Sequence, residues 1–307
     1  MNLINKIVFF SIILLSLNNL FSQNSRDLFI KDSIIKLINT NEIITLQTYN
    51  KVYNYIKKCD KLYNYESDLH KRFLEFSYSH GDIKNFKKDL SILVENYGFQ
   101  IIYMNNKENY YETITKGSLS FWFKKMYLKN HLNWLKQNFE KQYDLKKINE
   151  LFLKDQIYAN LYSDLKNTLI LDSLNQKKLD DIIINKNFEN IKTLFNISNS
   201  RNKIPNSKNF AVIQNSYNTL FIHNLNDNID KTWELFFPLF KKAYLNNEID
   251  YTIFQNYDFY CYKKYGYQEF NSFKINQIPE QFRKNNNEIP LKNKDDFDKI
   301  KTEFKWY

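Results

Sequence analysis

Apolar side chains recur at intervals of three and four residues through almost the whole chain, which is the period of an amphipathic α-helix. The stretch NEIITLQTYNKVYNYIKKCDKLY is typical, and its apolar stripe is formed by Leu46, Tyr49, Val52, Tyr53, Ile56 and Cys59. Because the tyrosines share this stripe, we expect them to pack in a core rather than to stack on nucleic acid or sugars. Only four glycines and four prolines interrupt the 307 residues. The sequence therefore predicts an all-α fold.

Local signals predict where the helices begin and end. In HGDIKNFKKDLSILVENYGF, Asp82 is placed to cap a helix and Gly98 to end it in the left-handed conformation. Further helices are predicted over 146–166, 172–186, 208–226, 229–246 and 248–257, with a short one near the sequence DDFD. Aromatic and polar residues alternate over 259–274, which predicts a short β-hairpin. We expect N-terminal helical hairpins over 23–145, followed by a helical domain over 146–307 that carries this one β-hairpin.

The N-terminus has the layout of a secretory signal peptide over residues 1–22. Lys6 precedes an apolar run from Ile7 to Leu17, and the small Ser22 stands before Gln23. The run is too short to span a bilayer comfortably, although an uncleaved anchor stays open. No second long apolar run follows, so we expect no transmembrane segment in the mature chain. The sequence predicts a protein that is extracytoplasmic, either periplasmic or secreted, after cleavage.

The net charge of +10 raises the question of an acidic partner. The lysines are scattered among asparagines, with no arginine cluster and no long basic run, which is the pattern of a solvated surface. We therefore expect no nucleic-acid partner. An acidic partner of another kind stays open.

Few residues match a known catalytic or cofactor pattern. The two cysteines, Cys59 and Cys261, are too far apart in sequence to indicate a disulfide framework, and we expect them to be buried free thiols. The chain has no glycine-rich phosphate loop, no dinucleotide fingerprint and no paired histidine spacing. We expect no cofactor and no metal. A hydrolase stays open, because hydrolase residues converge only in three dimensions.

Three predicted helices each place one polar residue on the apolar stripe. Asp155 lies three residues from both Phe152 and Tyr158, and Asn175 and Gln214 hold similar positions on their helices. Because an unpaired buried polar group costs about 1–3 kcal/mol, we expect these side chains to meet each other or water. Both a structural hydrogen-bond network and the floor of a ligand pocket are compatible with this pattern.

The same positions belong to four short motifs in the second half of the chain. They are Asp155-Gln156, Asp172 with Asn175, Gln214-Asn215, and Tyr265-Gly266-Tyr267-Gln268. In their order and spacing, residues 146–291 resemble an uncharacterised bacterial domain family marked by Asp-Gln, Asp-x-x-Asn, Gln-His and Tyr-Gly-Thr-Gln. Asn215 stands where that family has histidine, and Ala159 where it has arginine. The resemblance implies a candidate polar pocket formed by Asp155, Gln156, Asp172, Asn175, Gln214, Tyr265, Gly266 and Gln268.

Three classes of function are compatible with these features. The missing ionisable residues favour a binding or scaffolding protein without catalytic activity, which recognises an unknown protein or small-molecule ligand through a helical surface or a polar pocket. The alternative is a hydrolase of an envelope or extracellular substrate. In it Asp155 is the acid or base, and Gln156, Gln214 and Gln268 orient the substrate. A partner binder of the toxin or immunity type also stays open.

Overall fold

A computed structural model describes residues 24–39, 45–101, 108–169, 171–206, 208–211, 216–284 and 288–306. The predicted signal peptide, Gln214 and Asn215 lie outside these described residues. The described residues form twelve helices and no strand, so the all-α prediction is confirmed. The first helix, α1, is α-helical over Ser25–Leu28, π-helical over Phe29–Ile35 and α-helical again over Lys36–Ile38.

The other helices follow in chain order. They are α2 (Leu46–Tyr63), α3 (Ser67–Ser79), α4 (Ile83–Tyr97), α5 (Tyr111–Thr115), α6 (Ser120–Gln137), α7 (Phe139–Thr168), α8 (Ser173–Arg201), α9 (Ser216–Asp227), α10 (Ile229–Leu245), α11 (Thr252–Tyr265) and α12 (Lys294–Phe304). Compared with the predicted helices, α7 and α8 are much longer, and α8 continues fifteen residues past its predicted end at residue 186. It ends at Arg201, where Asn202 adopts the left-handed conformation with a φ of 51°.

Helices α3 to α6 share one apolar core. The predicted ends of α4 are confirmed: the Asp82 side chain accepts from the backbone N of Asn85, and Gly98 has a φ of 62°. A Cβ atom at Gly98 would lie 2.2 Å from the ring of Trp134 on α6, so this glycine also permits the contact between α4 and α6. The core shared by α3 to α6 is formed by Leu74, Phe86, Leu90, Leu93, Val94, Phe99, Tyr110, Ile114 and Phe123.

The second half is built on α7 and α8, two long antiparallel helices. The Tyr162 hydroxyl donates to Asp180 Oδ1 at 2.7 Å, and Arg201 Nε donates to Asp144 Oδ2 at 2.7 Å, so the two helices run in opposite directions. Helix α9 packs against both, and α10 and α11 complete the bundle. Its centre is formed by Ile148, Leu151, Ile191, Leu194, Leu220, Phe221, Leu225, Phe236, Phe240 and Phe254.

The predicted β-hairpin around Gly266 is wrong. Residues before the glycine continue α11, and Gly266 ends that helix in the left-handed conformation with a φ of 86°. Aromatic side chains occupy half of the positions from 254 to 265 and lie on several faces of the helix, which hid a helical stripe formed by Phe254, Tyr257, Asp258, Cys261 and Tyr262. The extended pairing found among the described residues is a single parallel bridge between Gln268 and Leu291.

The start of α1 joins the two halves through buried charges. Arg26 donates from Nε and Nη2 to both carboxylate oxygens of Glu66, at 2.8 and 2.7 Å. Lys208 Nζ donates to the same carboxylate at 2.7 Å. Asp27 accepts from the backbone N of Tyr251 at 3.2 Å. Arg26 and Glu66 are only 6% and 5% exposed, so this contact is part of the protein interior.

Cys59 packs in an apolar cluster formed by α1, α2 and α3, whereas Cys261 packs in the core of the second half. Cys59 and Cys261 are both free and buried, as the sequence predicted. Burial raises the pKa of each thiol to about 12. Since the thiolate is the reactive form, these residues are inert structural cysteines.

Candidate functional site

Asp155 lies inside the bundle, where α7 meets α9. The residue is 1% exposed, because it shares the stripe of Leu151 that faces the core. His223 Nδ1 lies 2.8 Å from Asp155 Oδ2, and Gln156 Nε2 donates to the same oxygen at 3.0 Å. Since a carboxylate offers only acceptors, Nδ1 is the ring nitrogen that carries the hydrogen. The His223 side chain is 20% exposed, so it reaches from the surface to the buried carboxylate.

A layer of polar residues crosses the bundle at this level. Asp155 lies seven residues before Tyr162, and Asn187 lies seven residues after Asp180, the partner of Tyr162. Seven residues are two helical turns, so Asp155 and Asn187 occupy the same level of the antiparallel pair. From α9, Asn224 Nδ2 donates to the backbone oxygen of Asn187 at 3.1 Å. Among the described residues, Asp155 Oδ1, Asn187 Oδ1 and Asn224 Oδ1 have no hydrogen-bond partner.

A second carboxylate lies one helical turn after His223. Burial raises the pKa of Asp227, while a hydrogen bond from Asn226 and the nearby charges of His223 and Lys263 lower it in part. Lys263 Nζ also donates to Asn226 Oδ1 at 2.7 Å. This end of α9 therefore gathers three titratable side chains beside a buried acid. In chemical terms, a histidine that donates from Nδ1 leaves Nε2 free to accept a proton.

The structure does not bring Asn175 to Asp155. Asn175 is exposed, because it lies in the first turn of α8, beyond the part of the helix that the bundle covers. Asp172 is the N-cap of that helix: its side chain accepts from the backbone N and from Nδ2 of Asn175 at 2.8 and 2.9 Å. The predicted inward orientation of Asn175 is wrong, and the pair is a helix cap.

The residues around Gly266 make contacts of their own. Tyr265 stacks on Tyr267, with ring centroids 5.4 Å apart, and its hydroxyl bonds to Asp230. Gln268 is 2% exposed and accepts from the backbone N of Phe273 at 3.0 Å. None of these contacts involves Asp155, so among the described residues the predicted pocket separates into a core layer, a helix cap and a loop.

Asp258 is a structural residue that sequence reasoning missed. It is fully buried, and it accepts hydrogen bonds from the backbone N atoms of Glu269, Phe270 and Ser272 at 2.8 to 3.1 Å. Burial raises its pKa to about 7, against the effect of these donors. A charged residue within the aromatic run YDFYCY was the available signal.

The outer face of α6 is a second candidate, and it is a surface rather than a pocket. Phe121, Leu128 and Leu132 are 83%, 61% and 51% exposed. Leu128 and Leu132 follow Phe121 by seven and eleven residues, which places all three on one line along the helix. The opposite face is buried through Phe123 and Trp134. The exposed line is flanked by four exposed lysines, Lys124, Lys125, Lys129 and Lys136.

No known protein family, curated protein or solved structure matches this chain. The resemblance to the uncharacterised bacterial domain family therefore stays a prediction. Within the part of the chain that the structure describes, no helix is both long and apolar enough to cross a bilayer. In the same residues, no three histidine, cysteine, aspartate or glutamate side chains come together as a metal site.

Proposed function

We propose that this chain is an extracytoplasmic binding protein without catalytic activity, and that the outer face of α6 binds an anionic lipid surface. The extracytoplasmic location rests on the N-terminal apolar run of the sequence. The observation that carries the binding proposal is the composition of α6, where Phe121, Leu128 and Leu132 are exposed between lysines. The Asp155 layer is closed to solvent by comparison, which favours a structural role for it.

Charge complementarity identifies the partner. Helix α6 carries four exposed lysines and no aspartate or glutamate, and the acid-free stretch extends over residues 113–139. Each lysine near an anionic membrane contributes about 1 kcal/mol of binding. The lysines flank the apolar line on both sides, so their side chains reach headgroups while the apolar side chains enter the acyl boundary.

The shape of the surface favours a membrane over a folded protein partner. Phe121, Leu128 and Leu132 project along a straight line of about 16 Å, at 1.5 Å per residue. A protein partner would need a preformed hole for each projecting side chain, whereas a fluid bilayer interface receives them without one. Large exposed aromatic and aliphatic side chains on a basic helix are typical of proteins that bind membrane surfaces.

Flotation with lipid vesicles tests the proposal. The purified chain is mixed with vesicles of phosphatidylcholine alone, or with vesicles that also contain phosphatidylglycerol. We expect binding to the second kind, and weaker binding as salt is added. Replacing Lys125, Lys129 and Lys136 by glutamine removes about 3 kcal/mol, so affinity falls roughly 100-fold.

Serine variants separate the apolar contribution from the charge. Phe121→Ser with Leu128→Ser is expected to reduce vesicle binding at least about tenfold, since about 0.8 kcal/mol is lost per buried methylene. The matched control is Leu174→Ser with Ile182→Ser on α8, two side chains that are 61% and 57% exposed. Equal binding to both kinds of vesicle, or equal loss in both double variants, contradicts the proposal. Binding to an acidic protein without vesicle binding also overturns it.

The Asp155–His223 hydrogen bond favours a second candidate, a hydrolase with His223 as the base. Asp155 would hold the imidazole with Nε2 free, and Asp227 would be a second acid nearby. Incubation with chromogenic esters, phosphate esters, glycosides and peptides tests this candidate. Turnover that His223→Ala abolishes and Asp164→Ala leaves unchanged would support it, whereas no turnover with any of the four classes rejects it.

A further inference from the structure

The outer face of α7 carries a regular line of exposed residues. Phe139, Tyr143, Leu153 and Ile157 are 64%, 51%, 59% and 63% exposed. Between them, Lys146 and Glu150 continue the same line and are also exposed. The six positions alternate in steps of four and three residues, which is the spacing of a helix-pairing seam. The line spans about 27 Å, at 1.5 Å per residue.

The order of these residues is self-complementary when the helix is reversed. An antiparallel copy, related by a two-fold axis at the level of Ile148, places Lys146 opposite Glu150 of that copy. The same register pairs the four apolar residues, Phe139 with Ile157 and Tyr143 with Leu153. The residue numbers in each of the three pairs add up to 296, so one register satisfies all of them. By symmetry, each contact occurs twice.

We infer that the chain forms an antiparallel homodimer through this face of α7. The occupant of the face is a second copy, because the two central charges match their opposites in the same register that pairs the apolar residues. One helix pair is a small interface, below about 1,200 Å² in total, and interfaces of that size are weak. The dimer therefore forms and dissociates with concentration. The dimer face lies on α7 and the proposed lipid-binding face on α6, so the two proposals can be tested independently.

Sedimentation equilibrium of the purified chain, over a series of concentrations and without lipid, tests the inference. We expect a monomer–dimer equilibrium. Glu150→Lys sets two lysines against each other on both sides of the axis and is expected to raise the dimer dissociation constant about tenfold. Lys146→Glu is expected to do the same. Combining Lys146→Glu with Glu150→Lys restores opposite charges and with them the original constant.

Two controls make the result specific to α7. Lys177→Glu reverses an exposed charge on α8 and is expected to leave the equilibrium unchanged. Leu153→Ser is expected to weaken the dimer about tenfold, whereas Leu174→Ser on α8 is not. A monomer at all concentrations overturns the inference. A dimer that the double charge exchange fails to restore overturns it as well.

Discussion

His223 and Asp155 form a 2.8 Å hydrogen bond between two helices, although the residues are 68 positions apart in the sequence. The histidine is partly exposed and the aspartate is not, so the contact links the surface of α9 to a polar layer inside the bundle. It satisfies one buried oxygen and fixes the hydrogen on Nδ1.

Replacing Asp155 tests how much this layer stabilises the bundle. Asp155→Ala leaves His223 Nδ1 and Gln156 Nε2 without their acceptor. We expect the free energy of unfolding to fall by about 1–3 kcal/mol. Chemical denaturation measures it, with Asp164→Ala on the exposed face of α7 as the control. An equal, small effect in both variants would contradict a stabilising role.

The buried carboxylate of Glu66 holds two cations from distant parts of the chain. Glu66→Ala leaves the partly buried Lys208 without its carboxylate and leaves the buried Arg26 with Asp27 as its remaining charge partner, so we expect a loss of up to roughly 3–5 kcal/mol in unfolding free energy. The control is Glu112→Ala, whose exposed pair with Lys116 contributes about 0–1 kcal/mol. Thermal melts of the two variants that shift equally would refute this prediction.

Alanine substitutions at two glycines with similar φ values distinguish the cost of backbone strain from the cost of overpacking. Gly81 and Gly98 have φ values of 79° and 62°, and only at Gly98 would a Cβ atom meet a neighbour, the ring of Trp134. Gly81→Ala is expected to cost about 1–2 kcal/mol from the left-handed backbone alone. Gly98→Ala is expected to cost a further 1–3 kcal/mol or so from overpacking. Denaturant titration measures the free energy of unfolding of both variants. Equal losses in the two variants would show that the Trp134 ring moves aside without cost.

The raised pKa of His70 predicts that the folded protein loses stability at alkaline pH. Burial lowers the pKa of His70, but its hydrogen bond to the Asp60 carboxylate and the nearby negative charges of Asp60 and Asp89 outweigh burial and raise the pKa from 6.5 to about 9. Since the folded pKa is the higher one, the stabilisation is complete below pH 6.5 and is lost as the pH rises through 9. The loss is on the order of 3 kcal/mol.

Unfolding measurements below pH 6.5 and above pH 9, on the natural chain and on His70→Gln, isolate this contribution. The variant is expected to be less stable at the lower pH and to change less between the two conditions. Parallel pH profiles for both proteins would show that His70 does not carry the effect.

Processing of the N-terminus is expected between Ser22 and Gln23. The apolar run from Ile7 to Leu17 is too short for a comfortable span, and no cysteine stands nearby for lipid attachment. Intact-mass analysis of the exported protein is expected to show a chain that starts at Gln23. A mass that includes Met1 would support the anchor instead.

Much of the secondary structure follows from the sequence alone. The period of three and four residues determines the all-α class, and Asp82 and Gly98 bound α4 because capping and the left-handed turn depend only on neighbouring residues. The alternation over 259–274 assigned Gly266 to a hairpin, whereas this glycine ends α11. Aromatic side chains on every face of α11 made alternation and helical spacing look alike.

The position on an apolar stripe predicted that both Asp155 and Asn175 point inward. The prediction is correct for Asp155 and wrong for Asn175. Both residues lie on apolar stripes, but a stripe does not tell where along its length a helix leaves the core. Helix α7 is buried at Asp155, whereas residues 173–175 in the first turn of α8 are exposed. Coverage depends on the lengths and positions of other helices, which is tertiary information.

The sequence by itself therefore determined the all-α class, the two ends of α4 and the residue types available on each face. Only the tertiary structure decided which faces meet. Arg26 and Glu66 are 40 residues apart, and Lys208 reaches the same carboxylate from 142 residues away. No local pattern pairs them, because the energy of a buried ion pair depends on the distance between the charges and on their burial, and both are set by packing.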